Sequence, residues 1–183
     1  MAKFCPECGK PTIRAEIGGR LRDACDEGHF VQFASTPMSA AALAFKDETV
    51  LLVQHNHPSK IWSLPGGYLE QDEDLILSLQ REVKEESNVD VNPLGIIAMR
   101  QLVKPTRNEF YVIFLAEVSG DNPAKGSHDE EIIDAQFVTL NDIPTWHITP
   151  FSRRIIEGYL KHKPTPIAPF TIDDYEAFMF GNL

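Results

Sequence analysis

The chain has 183 residues, 43% of them hydrophobic, and 17 Lys+Arg against 27 Asp+Glu give a formal net charge of -10. That is globular composition with room for one full core, which excludes disordered and fibrous proteins. The acidic balance argues against broad binding to nucleic acid or to an anionic membrane, so neither is an expected partner, although a local basic patch is compatible with it. No apolar leader precedes a cleavage site and no run reaches about 18 apolar residues, so a cytoplasmic protein is expected.

Residues 1–33 carry all three cysteines and little apolar periodicity. A segment this small needs a metal or a neighbour to hold its shape. Three cysteines cannot pair completely, and Cys5-Pro6-Glu7-Cys8-Gly9 reads as half of a zinc ribbon. The second half is Cys25-Asp26-Glu27-Gly28-His29. A regular ribbon places its fourth ligand at position 28, where this chain has Gly28, and the adjacent His29 completes a Cys3His set. Cys5, Cys8, Cys25 and His29 are therefore the expected structural Zn2+ ligands; the competing reading is a ribbon that keeps its shape without metal.

Residues 34–37 form a polar connection. Ala40 to Val53 reads as two strands around a Lys46-Asp47-Glu48 turn, with a short helix over Ala40–Phe45 as the alternative. Ile61–Ser63 is a strand that stops at Leu64-Pro65-Gly66-Gly67. Residues 73–87 form the clearest helix, with Leu75, Leu79 and Val83 spaced by four, Asp72 or Asp74 at its start and Asn88 at its end. Further strands are expected at Ile96–Met99, Phe110–Glu117 and Ala135–Thr139. Phe110–Leu115 has no polar face and belongs in a strand covered on both sides. Gly120–Glu131 is a polar loop, and Pro150–Leu160 is an amphipathic helix. The tail after Pro164 is Pro-rich and then aromatic, which suggests packing against a second subunit.

Within the helix, Glu82, Glu85 and Glu86 share one face. Like charges at that spacing repel, and a divalent cation converts the repulsion into ligation; three hard carboxylates suit Mg2+ or Mn2+. A solvated acidic face is the bland reading. The preceding glycine turn favours the cation, because bare backbone can approach a ligand beside the carboxylates. Glu73, read as lying in the first helical turn, and Arg81, two turns on, are too far apart for a direct pair along a helix surface.

From Gly67 the chain reads Gly, five residues, Glu73, seven residues, Arg81-Glu82-Val83, one residue, Glu85-Glu86, one residue, Asn88-Val89. This resembles the Nudix box in order and spacing, with Asn88 where the family has glycine. The resemblance implies an α+β fold: an α/β/α sandwich with a mixed sheet over residues 38–163, preceded by the zinc-ribbon-like segment 1–33 and followed by the tail 164–183. It also implies hydrolysis of a nucleoside diphosphate linked to another moiety. Glu82 and Glu86 match the main Mg2+ or Mn2+ ligands, Glu85 an accessory ligand or base, and the Gly67 carbonyl a backbone ligand. Glu73, Arg81 and Gly66 match positions that brace the loop. Glu131, in the acidic cluster before the strand at Ala135, is favoured as base or extra ligand. Arg100, Arg107 and Tyr111 are candidates to hold the substrate. His55 and His57 alternate like metal ligands, but a polar hairpin edge is the better reading.

The two parts together resemble the FAD, ADP-ribose and NADH pyrophosphatase branch, whose members are often homodimers. FAD or ADP-ribose ranks first, because the Ser-Gln-Pro-Trp-Pro-Phe-Pro signature of the NADH group is absent. RNA decapping by the same box, and a non-catalytic nucleic-acid-binding ribbon, are the alternatives.

Overall fold

The computed structural model describes residues 3–104, 107–127, 131–159, 165–172 and 175–180, with backbone alone for 102–104, 107, 165–172 and 175–180. The chain divides into two compact units, Met1–Thr36 and Pro37–Leu183.

In the first unit, β1 (Ile13–Ile17) and β2 (Arg20–Ala24) form an antiparallel hairpin. Its two-residue turn is Gly18-Gly19, both at positive φ (60° and 71°), the backbone that a tight hairpin demands and that glycine adopts without strain. The other edge of β2 receives the following segment through an Ala24–Val31 bridge and the Gln32 N–H donating to the Asp23 carbonyl at 2.8 Å. Two further turns run Cys5–Lys10 and Cys25–Phe30, each closed by a backbone hydrogen bond of 2.8 Å from the cysteine N–H. The buried apolar side chains described in this unit are Cys5, Ala24 and Cys25. Apolar burial of that size does not hold a fold.

The second unit contains, in order, β3 (Met38–Lys46), β4 (Thr49–His55), β5 (Trp62–Ser63), β6 (Gly66–Tyr68), α1 (Leu75–Ser87), β7 (Asp90–Lys104), β8 (Arg107–Ser119), β9 (Ile132–Thr139), α2 (Pro150–Tyr159), β10 (Thr165–Ile172) and β11 (Tyr175–Phe180). Among the described residues these strands make one nine-stranded sheet, ordered β11-β10-β7-β8-β3-β4-β5, with β6 also on β3 and β9 also on β4. β3 is where the sheet divides. One edge pairs in parallel with β8 over its whole length; the other carries β6 at Ser39–Ala41 and β4 at Phe45–Lys46, both antiparallel.

Alternation along these strands builds two cores. Ala40, Ala42 and Ala44 pack with Leu51, Val112, Phe114 and the α1 residues Leu79 and Val83. Ala41 and Leu43 point the other way, to Val50, Leu52, Ile113 and Ile156 of α2. The sheet is therefore covered on both faces, and the small alanines let α1 lie close to β3. Full burial of side chains such as Leu79 and Val83 stabilises by roughly 1.5–3 kcal/mol each.

The α+β sandwich with a mixed sheet is the fold the sequence implied, and β3 and β4 take the place of the short helical alternative. Several limits move. α1 begins at Leu75, because the Asp74 carboxylate caps it by accepting from the N–H groups of Ile76 and Leu77 at 2.8 and 2.9 Å. Asn88 ends it at φ 61°, the left-handed cap. The strand expected at 96–99 extends over Asp90–Lys104, with register shifts at Pro93/Gly95 and Ile96/Ala98 that absorb the proline. β6, β10 and β11 are strands where a turn and a Pro-rich tail were expected. The Pro-rich stretch pairs at a sheet margin, antiparallel to β7 through Thr165 and Pro166.

Candidate active site

The glycine turn is pinned from both sides. Leu64 is buried and its N–H donates to Ser152 Oγ at 3.2 Å; the Pro65 carbonyl accepts from the Ala42 N–H at 2.9 Å. Gly66 (φ 147°) and Gly67 then pair with β3 so closely that a Cβ on Gly66 would stand 2.1 Å from the Ala40 carbonyl. A Cβ on Gly67 would stand 2.3 Å from Glu82 Cδ. Both positions therefore require glycine, the second because the Glu82 carboxylate occupies the place of a side chain.

α1 aims the carboxylates at this turn. Glu86 Oε2 accepts the Gly66 N–H at 2.7 Å. Glu82 is half-buried beside Gly67, and burial pushes its carboxyl above the usual range, against the opposing pull of the Arg81 guanidinium. Glu85 is exposed and accepts from Arg81 Nη1 at 3.1 Å. Arg81 Nη1 also donates to Glu82 Oε1 at 2.8 Å.

The expectation that Glu73 lies in the first helical turn is corrected, and with it the exclusion of a direct pair with Arg81. Glu73 precedes the Asp74 cap and lies off the helix, so its carboxylate folds back and takes a two-pronged bond from Arg81, Nε to Oε1 at 2.7 Å and Nη2 to Oε2 at 2.9 Å. Arg81 Nη2 also reaches the Tyr68 carbonyl at 3.3 Å. One guanidinium thus ties the loop, Glu82 and Glu85 together. Its bond to Arg81, chiefly, holds Glu73 below its ordinary carboxylate range. The donor set at this turn is all hard oxygen, with the carboxylates of Glu73, Glu82, Glu85 and Glu86 against the one Arg81 guanidinium, which fits a divalent Mg2+- or Mn2+-like ion.

Arg100 and Tyr111 come together as neighbours. The Arg100 guanidinium lies 5.0 Å from the Tyr111 ring centroid and 4.4 Å from that of Phe151. Burial, with the nearby negative charge of Glu86, pushes the Tyr111 hydroxyl up to about 12. Arg100 faces the buried Glu109 carboxylate at 3.8 Å, and Glu109 also accepts from Ser39 Oγ at 3.0 Å. Sequence reasoning missed Glu109, Ser39 and Phe151. The alternation of β8 was the available signal for Glu109, two residues before Tyr111 on the same face. The Arg107 side chain lies outside the described residues.

Glu131 lies against the turn after β4. Its carbonyl accepts the Asn56 N–H at 2.7 Å, and it lines a cavity of about 530 Å3 with His55 and His57. Burial pulls the His55 imidazole below its ordinary value, and Glu131 opposes that. His55 Nε2 lies 2.6 Å from Ser63 Oγ and His57 Nδ1 lies 2.7 Å from Ser59 Oγ, so the two rings serve a polar hairpin edge. Trp62 is buried core, edge-on to Trp146 with centroids 4.7 Å apart.

In the first unit the two cysteine turns converge. One ligand atom from each of Cys5, Cys8, Cys25 and His29 lies within 4.8 Å of all the others. Cys8 Sγ and Cys25 Sγ are 3.7 Å apart, and Cys25 Sγ and His29 Nδ1 are 3.8 Å apart. The edge of a Zn–S tetrahedron is about 3.8 Å, so the set has the dimensions of a Cys3His zinc site. Burial opposes ionisation of Cys5, but the backbone N–H groups of Cys8 and Glu7 turn toward its sulfur and bring its pKa down.

The sequence profile of the NUDIX domain matches residues 36–159. The chain belongs to the NUDIX domain family. Among curated proteins it is 28% identical over 173 residues to the "NAD-capped RNA hydrolase NudC" of Stutzerimonas stutzeri, covering 91% of this chain and 60% of that protein. The protein of the same name from Pectobacterium carotovorum is 29% identical over 85% of this chain and 58% of its own length. The chain thus spans about 60% of the length of these relatives. Among solved structures, a NUDIX hydrolase from Nitrosomonas europaea superposes with TM-score 0.71 at 23% identity, covering 89% of this chain and 95% of that one. That likeness establishes the NUDIX fold. The expectation that nucleic acid is no partner finds no support in the relatives, whose names carry an RNA. No helix of the described residues is long and apolar enough to cross a membrane.

Proposed function

We propose that this NUDIX protein hydrolyses the diphosphate bond of an adenosine diphosphate linked to a second moiety. FAD and ADP-ribose are the candidates from the sequence, with NADH ranked behind them, and the relatives' names add an NAD-capped RNA. The observation that carries the reading is the Glu82 carboxylate lodged where a Gly67 Cβ would be, with Glu86 fastened to the Gly66 N–H. A bound Mg2+ or Mn2+ supplies neutralisation of the diphosphate oxygens and a more acidic water. Glu82, Glu86 and the Gly67 carbonyl are the proposed ligands, and Glu85 an accessory ligand or base. Arg81 and Glu73 keep the carboxylates in register. Arg100 and Tyr111 bind the substrate, in Arg100's case by a planar donor fork suited to phosphate, with Arg107 proposed beside them. Glu131 is the proposed base or extra ligand.

The structural ion is Zn2+ on Cys5, Cys8, Cys25 and His29. A homodimer built on the tail belongs to the same proposal; the tail's side chains lie outside those described. The test is hydrolysis of FAD, ADP-ribose, NADH and an NAD-capped RNA with Mg2+ and with Mn2+. Cleavage at the diphosphate is expected, reduced on the order of 10²–10³-fold in Glu86→Gln. Turnover on none of these substrates, with metal bound, refutes the reading.

A further inference from the structure

The charge is divided unevenly along the chain. Residues 1–36 hold five Lys+Arg and five Asp+Glu, net zero, so the whole formal charge of -10 falls in residues 37–183. Within the first unit the charges also segregate. Glu7, Asp26 and Glu27 sit in the cysteine turns, where Glu27 pairs with Lys10, whereas the hairpin carries Arg14, Arg20 and Arg22 against Glu16 and Asp23, a net of one positive charge.

A groove of about 340 Å3 runs along the outer edge of β2, between Arg20–Asp23 and the segment Gln32–Ser35. Two large apolar side chains stand exposed there, Leu21 at 63% and Phe33 at 59%. The Arg22 guanidinium lies 4.6 Å from the Phe33 ring centroid, tethered by its Nε–H to the Ile17 carbonyl at 3.3 Å. Arg14 is taken by Asp23 at 3.0 Å, which cancels the groove's carboxylate. Arg20 and Arg22 share one face of the hairpin, opposite Ile17 and Ala15. Arg20 makes no ion pair among the described residues.

We propose that this edge of the zinc-ribbon unit binds single-stranded RNA, with a base stacked on Phe33 and phosphates on Arg20 and Arg22. An exposed aromatic beside unpaired guanidiniums, in an otherwise acidic protein, is the pairing that recognises unpaired nucleotides. A hydrophobic partner protein would use Leu21 and Phe33 but leave the two arginines to desolvate without compensation. The inference rests on the RNA arm of the proposed function and deepens it.

The experiment uses the full zinc-loaded chain and an uncapped, fluorescently labelled 12-nucleotide RNA, read by anisotropy across salt concentrations. Because the RNA carries no diphosphate to cleave, a failure here is separate from a failure of the hydrolase reading. Binding is expected to weaken roughly tenfold in Phe33→Ala with the salt slope unchanged, and to survive in Phe33→Trp. Arg20→Ala is expected to lower the slope of log affinity against log salt by about 0.7. Zinc content and hydrolysis of ADP-ribose are expected to match the unsubstituted protein in every variant. Binding unaffected by either alanine variant overturns the proposal. So does absence of RNA binding together with a self-associating chain that Phe33→Ala dissociates.

Discussion

The two units solve the problem of staying folded by different means. Residues 37–183 bury whole rows of Ala, Val, Leu and Ile on both faces of a sheet, and the site is cut into that rigid frame at the Gly66-Gly67 turn. Among the described residues of 1–36 the buried apolar side chains are two cysteines and an alanine, and the unit gathers three thiols and an imidazole instead. A carboxylate site built on an apolar core survives without its ion, because the helix that carries it is fastened by Leu79 and Val83. A thiol site that stands in for a core does not.

Removing the proposed zinc tests that contrast most directly. All three cysteines lie in the first unit, and both tryptophans, Trp62 and Trp146, lie in the second. A strong chelator is expected to expose Cys5, Cys8 and Cys25 to a thiol reagent while tryptophan emission stays unchanged. A concerted loss of both signals breaks the comparison.

Gly67→Ala comes next. The added methyl collides with the Glu82 carboxylate, so hydrolysis is expected to fall on the order of 10²-fold or more, with an overpacking cost of about 1–3 kcal/mol seen as a lowered Tm. The thiol reactivity of the first unit should not change.

The Glu73–Arg81 bond sharpens the picture by pH. Glu73 has a depressed pKa in the folded state, so its contribution is present above the unfolded value of about 4.3 and is lost as pH falls through the folded value. Glu73→Gln is expected to lower Tm at neutral pH and to flatten the decline on acidification. An unchanged acid profile refutes this. The smallest effect belongs to Asn88→Gly, which relieves a left-handed cap at φ 61° but forfeits a 3.4 Å bond from Asn88 Nδ2 to the Pro123 carbonyl; Tm should move by only a few tenths of a kcal/mol equivalent.

The sequence by itself determined what depends on local spacing. Four-residue periodicity announced α1, the apolar run at 110–115 announced a doubly covered strand, and the gapped Gly67-to-Asn88 pattern put three carboxylates on one face. The cysteine spacing pointed to position 28 for a fourth group, and the adjacent His29 is the one that the fold brings to Cys25. Tertiary structure decided what depends on distant chain segments. Glu73 pairs with Arg81 only because the helix starts after it. Glu109 meets Ser39 and Arg100 only because β8 lies between β3 and β7. Glu131 goes to His55 because β9 pairs with β4. The Pro-rich tail becomes a strand because the margin of β7 offers it partners. Periodicity records which face of an element is buried; which element covers that face is set by strand order, and no single stretch of residues encodes that.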